Sequence, residues 1–392
     1  MKANPGGQIP PSEIIGRDRL VRRLWRILER QSLVLTAERR VGKTCVIKKM
    51  IAEIPKGKLV IPNKETPKDL EQVHTSLEFV ETVFFDAEAY LSGRKRAAER
   101  ARKVLAQLSG AEFQGFKFPT IVAPHWKTVL TATIEDLVQQ QDRMVIFFWD
   151  EVPLMLYNIK KGEGENTAME VLDTLRSLRQ THANLRMVFT GSIGLHQVIS
   201  SLKHSGYAND PTNDMLIEDV PPLAFPEATE LTKLLLDGES IKTDDLEATA
   251  KAIATAVDGI PYYIHHIVDQ LKNSHGLASS ATVDEIVANY LTDPQDRWHM
   301  RHYRERIDTY YAADEQPSAL ELLDILSVAN KPLHFDELFN LLKARVVTED
   351  KEKARYLLTM LQRDHYVIQE KEGSYRFRFP FVQRSWRLQR GL

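Results

Sequence analysis

The chain has 392 residues, enough for two or three domains with a real core, and its 43% hydrophobic and 27% charged composition excludes collagen-like or low-complexity protein. Its formal net charge is −2, so any nucleic-acid surface must be a local patch, and its one cysteine, Cys45, excludes an internal disulfide or a Cys-based zinc site. The start lacks the apolar core of a signal peptide and no run reaches the roughly 18 apolar residues of a membrane span, so we expect a cytoplasmic protein without membrane contact.

Short apolar runs alternate with amphipathic helical patterns through the first half of the chain. This alternation predicts an α/β fold with a mostly parallel sheet core and helices on both faces, and the motifs described below assign that fold to the P-loop NTPase (AAA+-like) kind. The polar stretches 158–166 and 203–214 are predicted to be mobile loops. The predicted strands are 32–36, 82–85, 144–149, 186–190 and 215–217, and the predicted helices are 17–29, 43–54, 94–108, 126–141 and 167–182.

The second half of the chain changes character after Pro221-Pro222. Residues 226–291 carry helical patterns separated by glycine-containing turns. From residue 318, three helical patterns and two short strands around a Gly-Ser turn predict a winged helix. We therefore expect three domains: an α/β core at 1–222, an α-helical lid at 223–312 and a winged-helix domain at 313–392.

A phosphate-binding loop is predicted between the first strand and the second helix. Lys43 would offset phosphate charge, Thr44 would supply a hydroxyl to Mg²⁺, and the helix N-terminus would supply N–H donors. Alanine stands where the pattern G-x-x-x-x-G-K-T has its first glycine, which is expected to strain the turn. The nucleotide-binding residues of this segment are Ala37, Glu38, Arg39, Arg40, Val41, Gly42, Lys43, Thr44 and Cys45.

An acidic pair at the end of the 144–149 strand predicts the second half of a phosphate site, the Walker B element. Asp150 would bind Mg²⁺ together with Thr44, and Glu151 would orient or deprotonate the attacking water. Hydroxyls lie at the end of the next strand, at Thr190 and Ser192, where open α/β sheets bind ligands. For each of them a contact with the γ-phosphate is predicted, and a turn without a ligand role is the equal alternative.

These motifs in this order resemble the AAA+/STAND ATPases of the archaeal-ATPase type, which are relatives of the origin-recognition ATPases. The resemblance covers nearly the whole chain and implies ATP and Mg²⁺ as cofactors. It implies that Ile15, Gly16 and Arg17 lie near the adenine. It also implies that Gly259 and Pro261 form the lid turn over the nucleotide.

The resemblance also raises the question of which arginine assists catalysis. Relatives often carry an arginine in the lid, but none follows closely after Pro261 here. Arg176 and Arg179 are candidates for an arginine finger that acts on a neighbouring subunit, which would require a homo-oligomer in the ATP state. The alternative is that both belong to a solvated or salt-bridged helix face.

Positive charge is concentrated in two segments. Residues 345–392 contain eleven basic and six acidic residues, a net charge of +5. In this segment the predicted recognition helix and wing carry Lys353, Arg355, Lys371, Arg376 and Arg378, which predict contact with double-stranded DNA; docking of a protein effector is the equal alternative. A second basic run, 94–103, is interpreted as a solvated helix face, with nucleic-acid contact as the alternative.

The sequence thus predicts an ATPase that converts ATP to ADP and phosphate, acts as a molecular switch, and couples its nucleotide state through the winged helix to DNA or a protein partner. Two alternatives stay open. One is a nucleotide-gated binding or assembly protein with negligible hydrolysis, favoured by Ala37 and the absent lid arginine. The other is a DNA-loading or transposition-type ATPase.

Overall fold

The computed structural model describes residues 1–62, 69–88, 90, 126–191, 194–203, 210–274, 276–346 and 350–392. The predicted helix 94–108, the basic run 94–103 and Ser192 lie outside the described residues. The chain forms two compact units. The sheet unit consists of 18–36 and 43–219, and the helical unit consists of 1–17, 37–42 and 220–392.

The sheet unit is built on a five-stranded parallel sheet, as predicted. The strand order is β2-β3-β4-β1-β5, so β4 lies between the strands that precede the two phosphate-site motifs. In register, Leu35 of β1 pairs with Thr190 of β4, and Trp149 of β3 pairs with Phe189. The strands are β1 (Ser32–Thr36), β2 (Lys58–Pro62), β3 (Met144–Trp149), β4 (Leu185–Thr190) and β5 (Met215–Asp219).

Amphipathic helices accompany the strands of this unit. In α1, Val21, Leu24 and Leu28 recur at helical spacing and are buried, whereas the arginines between them are exposed. The helices are α1 (Asp18–Leu28), α2 (Lys43–Ala52), α3 (Ser76–Glu88), α4 (Trp126–Gln139), α5 (Val152–Glu163), α6 (Glu165–Thr181) and α7 (Leu195–Lys203).

An aromatic cluster fills the core of the sheet unit. Trp149 at the end of β3 is fully buried. Its ring centroid lies 4.9 Å from that of Phe147, 5.9 Å from that of Phe189 and 5.5 Å from that of Phe79 on α3. Aromatic pairs at these separations add stabilisation to the buried area, so the cluster anchors β3 directly before the acidic pair.

Two sequence predictions for this unit are wrong, and one strand was missed. Residues 82–85 are helical, because the buried side chains of α3 recur every three to four residues and a short apolar run alone does not separate strand from helix. Residues 158–166 form no loop: α5 ends at Glu163, Gly164 alone breaks the helix at φ 94°, and α6 begins at the next residue. The edge strand β2, which pairs with β3, was not predicted.

In the helical unit, the described residues of the segment 226–291, which was predicted to be helical, form four helices. The N-terminus of the first is closed by Glu227, whose Oε2 accepts a hydrogen bond of 3.1 Å from the N–H of Ala224. The four helices are α8 (Phe225–Gly238), α9 (Leu246–Ala256), α10 (Pro261–Lys272) and α11 (Ser280–Leu291).

The C-terminal part of this unit contains five helices and an antiparallel hairpin. Strands β6 (Val367–Gln369) and β7 (Tyr375–Phe377) pair around Gly373, and Leu333 bridges to Tyr375. The predicted order of three helices and a hairpin is present, and a further helix follows it. The helices are α12 (His302–Tyr310), α13 (Gln316–Val328), α14 (Phe335–Lys343), α15 (Lys351–Arg363) and α16 (Pro380–Arg390). In the described part of the chain, no helix has the length and apolar character needed to cross a membrane.

Candidate functional site: the phosphate-binding motifs

The predicted phosphate-binding loop connects β1 to α2 directly. The strand ends at Thr36 and the helix begins at Lys43, so the helix N-terminus directly follows the loop. Left-handed backbone occurs at Arg40 (φ 71°) and Gly42 (φ 94°), but not at Ala37. The alanine methyl therefore meets no left-handed strain, and the sharp part of the turn lies later in the loop.

The threonine after the loop lysine lies against the Walker B aspartate. Thr44 Oγ1 donates to Asp150 Oδ2 at 3.4 Å, which joins the start of α2 to the end of β3. Burial raises the pKa of the Asp150 carboxyl, and the Glu151 N–H, the Lys43 charge and the Thr44 hydroxyl offset part of that rise. The structure thus brings Thr44 into contact with Asp150, with the charge of Lys43 close enough to act on the same carboxyl.

Glu151 sits in a strained turn between β3 and α5. Its backbone is left-handed (φ 60°, ψ 27°), and its N–H donates to Asp150 Oδ1 at 3.1 Å. A non-glycine residue in this region costs about 1 kcal/mol or more and occurs mostly where surrounding structure imposes it. The turn therefore ties the backbone of Glu151 to the carboxylate of Asp150.

The end of β4 completes this edge of the sheet. Thr190 is 1% exposed, and no group in the described residues hydrogen-bonds its Oγ1. A Cβ added at Gly191 would lie 2.6 Å from Pro153 Cδ at the start of α5, so only glycine permits this close approach. An unsatisfied buried hydroxyl at the carboxyl edge of a parallel sheet is suited to a polar ligand.

The two arginine-finger candidates have different surroundings. Arg179 is 7% exposed and donates to both carboxylate oxygens of Asp214, each at 2.8 Å, and to the carbonyl of Pro211. Arg176, one helical turn earlier, is half-buried, and within the described residues its Nε has no hydrogen-bond partner. Arg179 is therefore an internal ion pair in the sheet unit, which matches the salt-bridged alternative.

The residues implied to lie near the adenine belong to the helical unit. Gly16 has φ 72°, and a Cβ there would come within 2.9 Å of Glu227 and Leu223. Arg17 is buried and donates to the carbonyl oxygens of Pro221 (2.8 Å) and of Val41 in the phosphate loop (2.7 Å). Ile15 precedes them and is half-buried. The guanidinium of Arg17 is thus used to bind two backbone carbonyl oxygens, one of them in the phosphate-binding loop.

The predicted lid turn is tightly built. Gly259 has φ 68°, and a Cβ there would lie 2.5 Å from the carbonyl oxygen of Leu223, whose N–H in turn donates to the Gly259 carbonyl. Pro261 starts α10, as expected for proline at a first helical position. Cys45, the last residue of the predicted nucleotide set, is a half-buried cysteine on α2.

Two side chains of the phosphate-binding loop make contacts that the sequence did not predict. The Arg40 guanidinium stacks over the Tyr262 ring at 3.7 Å, at the start of α10. Glu38 is buried and faces Arg306 and His302 of α12. No local pattern marks either contact, because the partners lie more than 200 positions away along the chain.

Most of the basic side chains proposed to contact DNA have partners within the helical unit. Lys371 is exposed in the hairpin turn. The other four form the pairs Lys353 with Asp314 (2.6 Å), Arg355 with Glu352, Arg376 with Glu370, and Arg378 with His365 (2.6 Å).

Comparison with known proteins agrees with these motifs. Residues 27–199, a little under half of the chain, match the AAA domain family. The Walker-type ATPase PABY2304 of Pyrococcus abyssi aligns over 99% of this chain and 100% of its own, with 15% identity and a TM-score of 0.62. The ORC2 protein of Aeropyrum pernix, solved in ADPNP-ADP complexes, aligns over 98% and 95%, with 10% identity and a TM-score of 0.51. These structural likenesses show the fold. A comparison with curated protein sequences finds no match.

Proposed function

We propose that the protein is an ATP-hydrolysing molecular switch whose nucleotide state is coupled through its C-terminal domain to a partner. The observation that carries the proposal is the contact of Thr44 with Asp150 beside Lys43. These are the groups that a phosphate-binding loop and its acidic strand contribute to a Mg²⁺-nucleotide site. The AAA domain match over 27–199 supports the same class of chemistry.

The donor set fits Mg²⁺. Thr44 and Asp150 offer a hydroxyl and a carboxylate oxygen 3.4 Å apart, and Mg²⁺ takes one or two such ligands and completes its shell with water and phosphate oxygens. The described residues contain no cluster of three or more His, Cys, Asp or Glu side chains, so a metal held by protein alone is not indicated there. Bound Mg²⁺ would neutralise phosphate charge as a Lewis acid.

The chain's own residues then have distinct roles. Lys43 offsets phosphate charge, and Glu151 accepts a proton from the water that attacks the γ-phosphorus. The new water–phosphorus bond replaces the bond to the β-phosphate oxygen, so ADP and phosphate leave. Thr190 donates its unpaired hydroxyl to the γ-phosphate or to that water.

The domain division is part of the proposal: an ATPase core at 1–222, a helical lid at 223–312 and a winged-helix domain at 313–392. Three helices followed by a paired hairpin, with Leu333 bridging to Tyr375, support the last of these. Arg176 is the better candidate for a finger toward a second copy, because Arg179 is occupied by Asp214.

The partner is the least specified part of the switch. Four of the five basic side chains considered for DNA contact already have side-chain partners, which DNA phosphates would have to displace, and we therefore place a protein effector first. Duplex DNA is the competing partner, and with it a DNA-loading ATPase. DNA-stimulated turnover that falls steeply with added salt would support that reading.

The nucleotide-gated protein with negligible hydrolysis is the second candidate function. The observation in its favour is that no arginine follows closely after Pro261. Glu151→Gln separates the two: in an ATPase it abolishes turnover and keeps ATP binding, whereas in a gated binder it changes little.

The test is ATP turnover by the purified protein with and without duplex DNA. Lys43→Ala is the blank, and Lys48→Ala, on the same helix but outside the loop, is the matched control. Turnover that requires Lys43 but not Lys48 supports the ATPase. Stimulation by DNA identifies DNA as the partner, and indifference to DNA points to a protein. Nucleotide binding unaffected by Lys43→Ala would refute the proposal.

A further inference from the structure

The phosphate-binding loop contains a buried carboxylate. Glu38, the second residue of the loop, is 2% exposed. Its Oε1 accepts the N–H of Arg39 at 2.6 Å, and among the described residues its Oε2 has no hydrogen-bond partner. A negative charge is therefore enclosed in the segment that must receive the negative charge of a nucleotide.

Two side chains of α12 face this carboxylate. Arg306 Nη1 lies 3.6 Å from Glu38 Oε1, and His302 Nε2 lies 3.9 Å from it. Burial alone would raise the pKa of the Glu38 carboxyl, but His302 and the Arg306 guanidinium together lower it below its ordinary value, so Glu38 is charged at neutral pH. Burial lowers the pKa of His302, which leaves Arg306 as the permanent counter-charge.

Arg306 is shared with a second buried carboxylate. Its Nη2 lies 3.3 Å from Asp364 Oδ1, and Tyr311 donates its hydroxyl to Asp364 Oδ2 at 2.7 Å. The guanidinium carbon also lies 5.4 Å from the centre of the Tyr366 ring. Asp364 directly follows α15 and precedes β6, so the cluster joins the phosphate loop, α12 and the C-terminal hairpin segment within one unit.

We propose that Arg306 is the counter-charge that allows the loop to hold nucleotide phosphates beside Glu38, and that Asp364 competes for it. The proposal rests on the nucleotide site proposed above. Charges in a buried, low-dielectric site interact strongly, so an unneutralised Glu38 would repel phosphate oxygens. Arg306 lies 3.6 Å from Glu38 and 3.3 Å from Asp364, so removing the charge of Asp364 leaves more of the guanidinium charge to Glu38.

The experiment is calorimetric titration of the full chain with Mg²⁺-ADP. Arg306→Met exposes the loop to the bare carboxylate, so the Kd is expected to rise on the order of tenfold or more. Glu38→Gln removes the repelling charge, and its Kd should stay within about threefold of wild type or fall. The decisive variant combines Arg306→Met with Glu38→Gln. Because it lacks the repelling carboxylate, its Kd for Mg²⁺-ADP should return toward the wild-type value.

Further variants separate charge from general structural damage. Arg306→Lys keeps the charge and should bind almost as well as wild type. Asp364→Asn leaves Arg306 wholly to Glu38, so its Kd should be unchanged or lower, whereas damage to the fold would raise it. If Arg306→Met does not fold, judged by circular dichroism and thermal melting, Arg306→Lys and Asp364→Asn carry the test.

The proposal is overturned if the double variant binds as weakly as Arg306→Met, or if Asp364→Asn weakens binding tenfold. It is equally overturned if Arg306→Lys loses as much affinity as Arg306→Met. Failure of the proposed nucleotide site gives a different result: the wild type does not bind Mg²⁺-ADP, or Lys43→Ala binds it equally well.

Discussion

The aspartate of the lid turn is expected to make the stability of the protein depend on pH. Asp258 lies between α9 and α10 with left-handed backbone (φ 51°), and its Oδ2 accepts the N–H of Phe381 at 2.8 Å, at the start of α16. Burial raises the pKa of its carboxyl to about 6, and the Phe381 N–H and the charge of Arg376 only partly oppose the rise. We therefore consider the substitution Asp258→Asn, which keeps an acceptor oxygen, tolerates this backbone conformation and removes the charge.

The size and sign follow from proton linkage. The folded protein holds the Asp258 proton more tightly than the unfolded chain, whose carboxyl titrates at its ordinary pKa of 3.8. Stability is therefore lost as pH rises from about 4 through about 6, and the change is at most about 3 kcal/mol. Asparagine resembles the protonated carboxyl, so the variant should match wild type near pH 4 and exceed it by up to about 3 kcal/mol at pH 7.5.

The assay is urea unfolding of both proteins at pH 4.5 and pH 7.5, followed by circular dichroism. Asp237→Asn, which removes a carboxylate at an exposed position of α8, is the matched control. A variant that is less stable than wild type at pH 7.5, or one whose difference from wild type is the same at both values, would refute the reasoning. In that case the charged carboxylate stabilises α16 by more than its burial costs.

Two other substitutions test the packing of the lid turn and the arginine assignment. Gly259→Ala should destabilise by several kcal/mol, because the new methyl meets a backbone carbonyl at 2.5 Å; Gly373→Ala, with similar left-handed φ but open space, should cost only about 1 kcal/mol in thermal unfolding. Arg179→Met leaves the Asp214 carboxylate without its guanidinium partner and should cost about 3 kcal/mol, whereas Arg176→Met should change stability by less than about 1 kcal/mol. Equal losses for the two arginine variants would contradict the ion-pair assignment.

The phosphate motifs could be predicted because their signals are local. The first motif consists of an apolar strand, a loop that ends in Gly42-Lys43-Thr44, and a helix, in direct succession. The second motif is recognised because six apolar residues directly precede Asp150. Parallel strands bring their carboxyl ends to one edge, and the structure places Thr44, at the start of α2, in contact with Asp150 at the end of β3.

Sequence patterns gave wrong predictions at segments whose residues are compatible with more than one kind of secondary structure. Residues 82–85 have the β-branched and aromatic character of a strand, and only the burial of Phe79, Val80 and Ala87 around them shows the helical face. The polar stretch at 158–166 is helical except at Gly164, where α5 ends and α6 begins. In both places tertiary packing overrode the local preference.

The sequence by itself determined the α/β class and the order along the chain of the two motifs that predict a phosphate site. Only the tertiary structure decided which charges neutralise one another: Arg179 with Asp214, and Arg306 between Glu38 and Asp364. The reason is physical. Periodicity and turn chemistry act between residues that are neighbours along the chain, whereas a buried ion pair depends on which distant segments exclude water together.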